Sequence, residues 1–158
     1  MTLRDFLANW GLSKLKIKAG FLDAEFTPQD EDRLAAWDMY VELLTRVTTQ
    51  PLAPDEGKEE AALSSLHAVF PITRDILKAR GPNTIHFARI AVVVLNQILR
   101  PVTAKWHGML GPDDRFATDA DRAAFRADLE AVRPDLIRYT QALAALANVE
   151  DLTDLEAE

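Results

Sequence analysis

The segment ILRPVTAKWHG, residues 98–108, crowds Arg100, Lys105, Trp106 and His107 around Pro101 at the end of the most apolar stretch of the chain. Extended backward at helical spacing, Arg89, Asn96, Arg100, Thr103 and His107 recur at intervals of three, four or seven and share one seam of a helix. Guanidiniums and an imidazole on one seam can hold a carboxylate or phosphate by charge-assisted, partly bidentate hydrogen bonds, while Trp106 offers a ring on which a flat ligand stacks. Arg46 and Arg74, on two earlier helices, join this candidate ligand site if those helices pack beside the seam. Each residue also has a plainer use. A polar stripe is ordinarily a solvated face, Glu42 stands four residues before Arg46 as an ion-pair partner, and Asp75 is a second acid to neutralise the arginines.

Conventional catalytic patterns fail in turn. His67, His86 and His107 are scattered, and no pair has the four-residue helical spacing of a zinc site. Ser64 and His67 share a helical face but lack a glycine elbow and an orienting carboxylate motif. Asp113, Asp114, Asp119 and Asp121 lack the glycine and closing glutamate of a calcium loop, so they read as turn and cap acids. The six glycines form neither a dinucleotide nor a phosphate-loop pattern. With no cysteine, disulfides, thiolate nucleophiles and iron–sulfur clusters are excluded. The sequence therefore names no catalytic residue, metal site or cofactor.

The elements that must position these residues are helical. Leu3, Phe6, Leu7 and Trp10 predict a short docking helix ending at Gly11. Leu15, Ile17, Ala19 and Phe21 alternate with Lys14, Lys16, Lys18 and Gly20, the period of a half-buried strand, which must pair with LDAEF, pair with another subunit, or else be a loop lying on the bundle. Thr27 and Pro28, followed by Asp30, Glu31 and Asp32, predict a helix start, and Pro51 predicts its end near Gln50. Leu34, Trp37, Val41, Leu44 and Thr48 form its apolar stripe, which places Trp37 in the core. A second helix runs to Gly81, bent or split by Pro71. A third, apolar around most of its circumference, starts at Asn83 or Thr84, with Pro101 kinking it before Trp106. After a turn at 108–114, Thr118 and Asp121 open a helix that Pro134 interrupts before the last one ends near Asn148.

The expected fold is all-α, mainly: a single-domain bundle of four or five principal helices with proline kinks, a short N-terminal helix and one short strand or hairpin near residues 14–26. Residues 1–26 form a docking segment, 27–148 the bundle, and 149–158 an acidic, frayed tail. Of the formal net charge of −7, the tail supplies five charges (Glu150, Asp151, Asp154, Glu156, Glu158), so the body attracts neither nucleic acid nor an anionic membrane by its overall field. The apolar run at residues 87–99 falls short of the roughly 20 residues of a bilayer span. With no secretory pattern at the N-terminus, the sequence predicts a cytoplasmic protein.

Function follows by ranking. The favoured reading is a non-enzymatic helical interaction protein, an adaptor or accessory subunit that self-associates, with Trp10, Leu15, Ile17, Phe21 and Trp106 as interface residues. The alternative is a binder or enzyme for a small anionic ligand or nucleotide, held by Arg89, Asn96, Arg100, Trp106, His107, Arg46 and Arg74. A helical subunit of a nucleic-acid complex ranks third.

Overall fold

Four long helices dominate the computed structural model, which describes residues 1–109 and 111–156. In chain order they are α3 (Asp30–Leu44), α4 (Glu59–Arg80), α5 (Ile85–His107) and α7 (Asp119–Ala147). Three short helices complete the set: α1 (Leu3–Asn9), α2 (Ala19–Leu22) and α6 (Pro112–Arg115). No strand forms among the described residues, and the all-α bundle of the sequence reading is the observed architecture. Leu110 of the expected 108–114 turn and Glu158 of the acidic tail lie outside the described residues.

Local chemistry explains most of the helix ends. Thr2 and Asp5 exchange side-chain and backbone bonds to cap α1, and Thr118 accepts the Asp121 N–H at 3.0 Å to open α7. Gly81 ends α4 at φ +85°, a conformation that favours glycine. Two boundaries differ from expectation. The cap of α3 is Gln29, whose N–H donates to the Asp32 carboxylate at 2.9 Å, and not Thr27. The helix also stops at Leu44, because Thr49 Oγ1 and Gln50 Nε2 donate to the carbonyls of Leu43 and Leu44 at 2.8 and 3.0 Å and satisfy the last turn. The break expected at Pro134 is absent, and α7 runs through it.

Leu3, Phe6 and Leu7 of α1, Tyr40 and Leu43 of α3, Leu63 and Leu66 of α4, Phe87, Ile90 and Val94 of α5, and Leu129, Tyr139 and Leu143 of α7 enter one core. α3 packs chiefly on α7. The other Asp32 carboxylate oxygen accepts the Phe87 N–H at 2.9 Å in the interior, fixing the start of α5 against the start of α3. α5 is long and apolar enough to cross a membrane by length and composition alone, but here Phe87, Ile90, Val94, Ile98, Leu99 and Trp106 are buried in the bundle.

The strand expected near residues 14–26 does not form. The alternation holds over residues 14–18, with Leu15 buried, Ile17 half-buried and Lys14, Lys16 and Lys18 exposed, whereas Ala19 and Phe21 beyond it are exposed. The backbone pairing that a partner strand would supply comes from one side chain. Gln97 Oε1 accepts the Lys16 N–H at 2.8 Å, and Gln97 Nε2 donates to the Lys16 carbonyl at 2.7 Å. Ala19–Leu22 then turns helical, and Thr2 and Glu25 form an isolated antiparallel bridge.

Arginines of α7 secure the loop after α3. Arg126 donates to the Ala53 and Glu56 carbonyls at 2.8 and 2.9 Å and to Glu59 at 2.9 Å, while Arg133 Nε reaches the Val47 carbonyl at 3.2 Å. At the C-terminal end, Asn148 closes α7 in the left-handed region, and the Leu152 N–H donates to Tyr40 Oη at 2.6 Å.

Candidate functional site

A short loop, residues 81–84, joins α4 to α5, so the two helices run antiparallel. On α4, His67 and Arg74 lie seven residues apart; on α5, Arg100 and His107 have the same spacing in the opposite order. Antiparallel packing therefore matches histidine with histidine and arginine with arginine across one groove. The His67 and His107 rings meet edge to face at 4.8 Å, and Arg74 and Arg100 line the other end. Phe70, Thr103 and Ala104 complete a groove of about 240 Å³.

The groove is electropositive at close range. Arg100 lies 4.9 Å from the Phe70 ring centre, and its Nε donates to Asn96 at 3.0 Å, which fixes the guanidinium plane. Neither Arg74 nor Arg100 has an acidic partner within salt-bridge distance among the described residues. Glu60, whose charge acts on His107, is held by Arg115 at 2.6 Å. Burial pushes the His107 imidazole below its usual range, and the charges of His67 and Arg115 lower it further against the opposing pull of Glu60.

The seam read from sequence thus divides. Arg74, Arg100 and His107 converge, with Asn96 as a support, and Thr103 Oγ1 is spent on the Leu99 and Arg100 carbonyls. Arg46 pairs with Glu42 at 2.8 Å and points a second nitrogen toward Ser65 at 3.4 Å. Arg89 sits elsewhere, over the Phe21 ring at 5.4 Å and beside Glu25 and Glu31. Trp106 is no stacking platform: it is 2% exposed, packs on Phe116 and Phe125, and donates Nε1–H to Asp128 at 3.0 Å. His67 and Phe70 join the groove without being candidates from the sequence, although the mirrored seven-residue spacing of His67 and Arg74 with Arg100 and His107 is a signal for the first.

The interface residues also redistribute. Leu15 is core, Trp10 and Ile17 are partly buried against it, and Phe21 is exposed beneath Arg89. Trp106 presents no surface to a partner. Trp37 reverses its expected role. With Leu34 and Val41 it forms an exposed row on α3, at 46% (Leu34), 44% (Trp37) and 48% (Val41), while Ala35, Ala36, Met39, Tyr40 and Leu43 fill the core. α3 packs chiefly on α7, and the side of the helix turned inward carries Ala35, Ala36, Met39, Tyr40 and Leu43, so Leu34, Trp37 and Val41 on the opposite side remain outside.

Trp37 and Val41, with Ile72, Ile76 and Ala79 of α4, line a groove of about 460 Å³ edged by Asp38, Glu42 and Asp75. Asp38 is tied to Arg80 at 2.8 Å and Glu42 to Arg46. Asp75 has no such partner among the described residues. No family model, curated protein or solved structure matches this chain. Function is therefore argued from these two grooves. No cluster of metal-ligating side chains occurs among the described residues. The buried Tyr139 hydroxyl has no hydrogen-bond partner among the described residues, and burial raises its pKa, but its position in the core gives it no substrate to meet.

Proposed function

We propose that this protein is a non-enzymatic helical adaptor or accessory subunit whose α3/α4 face receives an amphipathic helix of a partner protein, apolar on one side and basic at its flanks. The exposed row Leu34, Trp37 and Val41 carries the reading. Its spacing of three and four residues is that of a helix presenting a continuous apolar ridge, and the adjoining groove between α3 and α4 has the form used to seat an amphipathic helix. Tryptophan at the centre of such a surface supplies much of the energy when a partner excludes water from it. The acids at the edge, above all Asp75, favour basic flanks on the occupant. A second copy would bring the same acidic edge against itself in a chain of net charge −7, which disfavours self-association through this face.

The test uses a designed Leu/Lys amphipathic peptide and its Leu/Glu counterpart as probes, with binding followed by fluorescence anisotropy. The Leu/Lys helix should bind saturably, and Trp37→Ser or Val41→Glu should weaken it at least about tenfold. Equal binding by the variants, or equal binding of the Leu/Glu helix, would refute the site. Sedimentation that finds a dimer dissolved by Val41→Glu would replace the partner protein with a second copy.

A further inference from the structure

We infer that the α4/α5 groove is a binding site for a phosphoryl dianion carried on a small molecule, with Arg74 and Arg100 as its clamps and His67 and His107 as its second pair of donors. The site is independent of the α3/α4 face, since none of its lining residues is shared with that groove.

Arg100 is prepared for such a ligand. Phe70 supports its guanidinium from below, and the Asn96 bond occupies Nε alone, so both terminal nitrogens remain available as a planar fork. That fork matches two oxygens of a phosphate at once. Arg74 adds a second guanidinium, exposed and with no acidic partner among the described residues. The two imidazoles at the far end can each donate a hydrogen bond, and when protonated each adds charge. The groove residues include no acid, although the chain as a whole is strongly acidic. Four groups able to carry positive charge, gathered from two helices around one concavity, repel one another until an anion enters.

Further observations narrow the ligand. The volume of about 240 Å³ lies below the roughly 300–1,000 Å³ of pockets that enclose drug-sized ligands, which suits a phosphoryl group with a short attachment and leaves little room for a whole nucleotide. The charged groups around His107 are His67, Arg74 and Glu60 of α4, Arg100 of its own helix and Arg115 of α6. Glu60 is engaged by Arg115, and His107 protonation is depressed first by burial and then by the charges of His67 and Arg115. A bound dianion opposes those charges and makes protonation of both histidines easier.

The experiment titrates the full chain with inorganic phosphate and with glycerol 3-phosphate at constant ionic strength, using sodium chloride as the matched control. Imidazole resonances of His67 and His107 are followed by NMR, with His86 as an internal reference. Both phosphates should give saturable shifts at His67 and His107, raise their titration midpoints and leave His86 unchanged. Arg100→Gln and Arg74→Gln should each weaken binding about tenfold, the smaller end of what losing a charge-assisted bond produces. Both arginines are exposed, and Arg74→Gln, which leaves the Phe70 and Asn96 contacts of Arg100 in place, keeps the test decisive if Arg100→Gln disturbs folding. Shifts reproduced by chloride, or phosphate affinity unchanged in Arg74→Gln, would overturn the site.

Discussion

Replacing each tryptophan by phenylalanine separates the two environments that the fold assigns to them. At position 106 the change deletes the indole N–H that donates to Asp128 at 3.0 Å and leaves space between Phe116 and Phe125. Losing a hydrogen bond to a charged acceptor costs about 1.5–3 kcal/mol, and the unfilled volume adds roughly 1 kcal/mol. Trp106→Phe should therefore destabilise by about 3 kcal/mol. At position 37 the indole is 44% exposed and keeps contact with water, so the same substitution should cost below about 1 kcal/mol. Urea unfolding followed by circular dichroism at 222 nm measures both without depending on tryptophan emission. With an m-value of about 2 kcal/mol/M, Trp106→Phe should lower the midpoint by about 1.5 M and Trp37→Phe by less than about 0.5 M. Equal costs, or a larger cost at position 37, would refute the assignment of one ring to the core and the other to a binding surface.

Two further outcomes follow from the polar contacts. Burial pushes the Asp128 carboxyl up, but the bonds from Lys105 and Trp106 outweigh it and hold the group below the usual carboxylate range. Its contribution to stability is therefore present above the unfolded value near 4 and lost as pH falls through the lower folded value. Asp128→Asn should reduce the urea midpoint at pH 7 and flatten the acid limb of the stability profile; an unchanged limb would count against the contact. Arg126→Ala removes three bonds to the segment between Ala53 and Glu59, so limited trypsinolysis after Lys58 should accelerate about tenfold relative to the parent chain.

The long helices and several of their caps were legible because each depends on neighbours within one or two turns. Gly81 after Arg80 and Thr118 with Asp121 are local chemistry; the structure uses the glycine as read and Thr118 as the cap, without the return bond from the Asp121 side chain. Faces were harder. On α3, hydrophobic size points to Leu34, Trp37 and Val41, yet the buried side carries Ala35, Ala36, Met39, Tyr40 and Leu43, and which side faces inward depends on packing against α7, distant in sequence. The alternation at residues 14–21 is matched by burial only at Leu15 and Ile17, a pattern that a strand and a coil share; the Gln97 amide that satisfies the backbone there lies 81 residues away. The candidate ligand site was legible in pieces. Arg74, Arg100 and His107 were identified, but their meeting with His67 and Phe70 required the antiparallel register of α4 and α5. Arg89 was placed with them by assuming one uninterrupted helical phase, and that phase is broken at Leu95–Leu99.

That interruption is a π-turn, in which the Arg100 N–H reaches back five residues to the Leu95 carbonyl just before Pro101. It works as an offset coupling between two lengths of the same rod, letting each half take its own rotational setting. Upstream, Phe87, Ile90 and Val94 turn toward the interior; downstream, Arg100 and His107 face α4 while Trp106 swings inward to Phe125. The turn holds one residue more than regular winding needs, so deleting one here would restore the α-helix and leave each half at its own setting, while a second deletion would spin everything beyond it by about 100°. Only then would the tryptophan leave its nest and the cations their groove. These five positions therefore tolerate the loss of one residue and not of two.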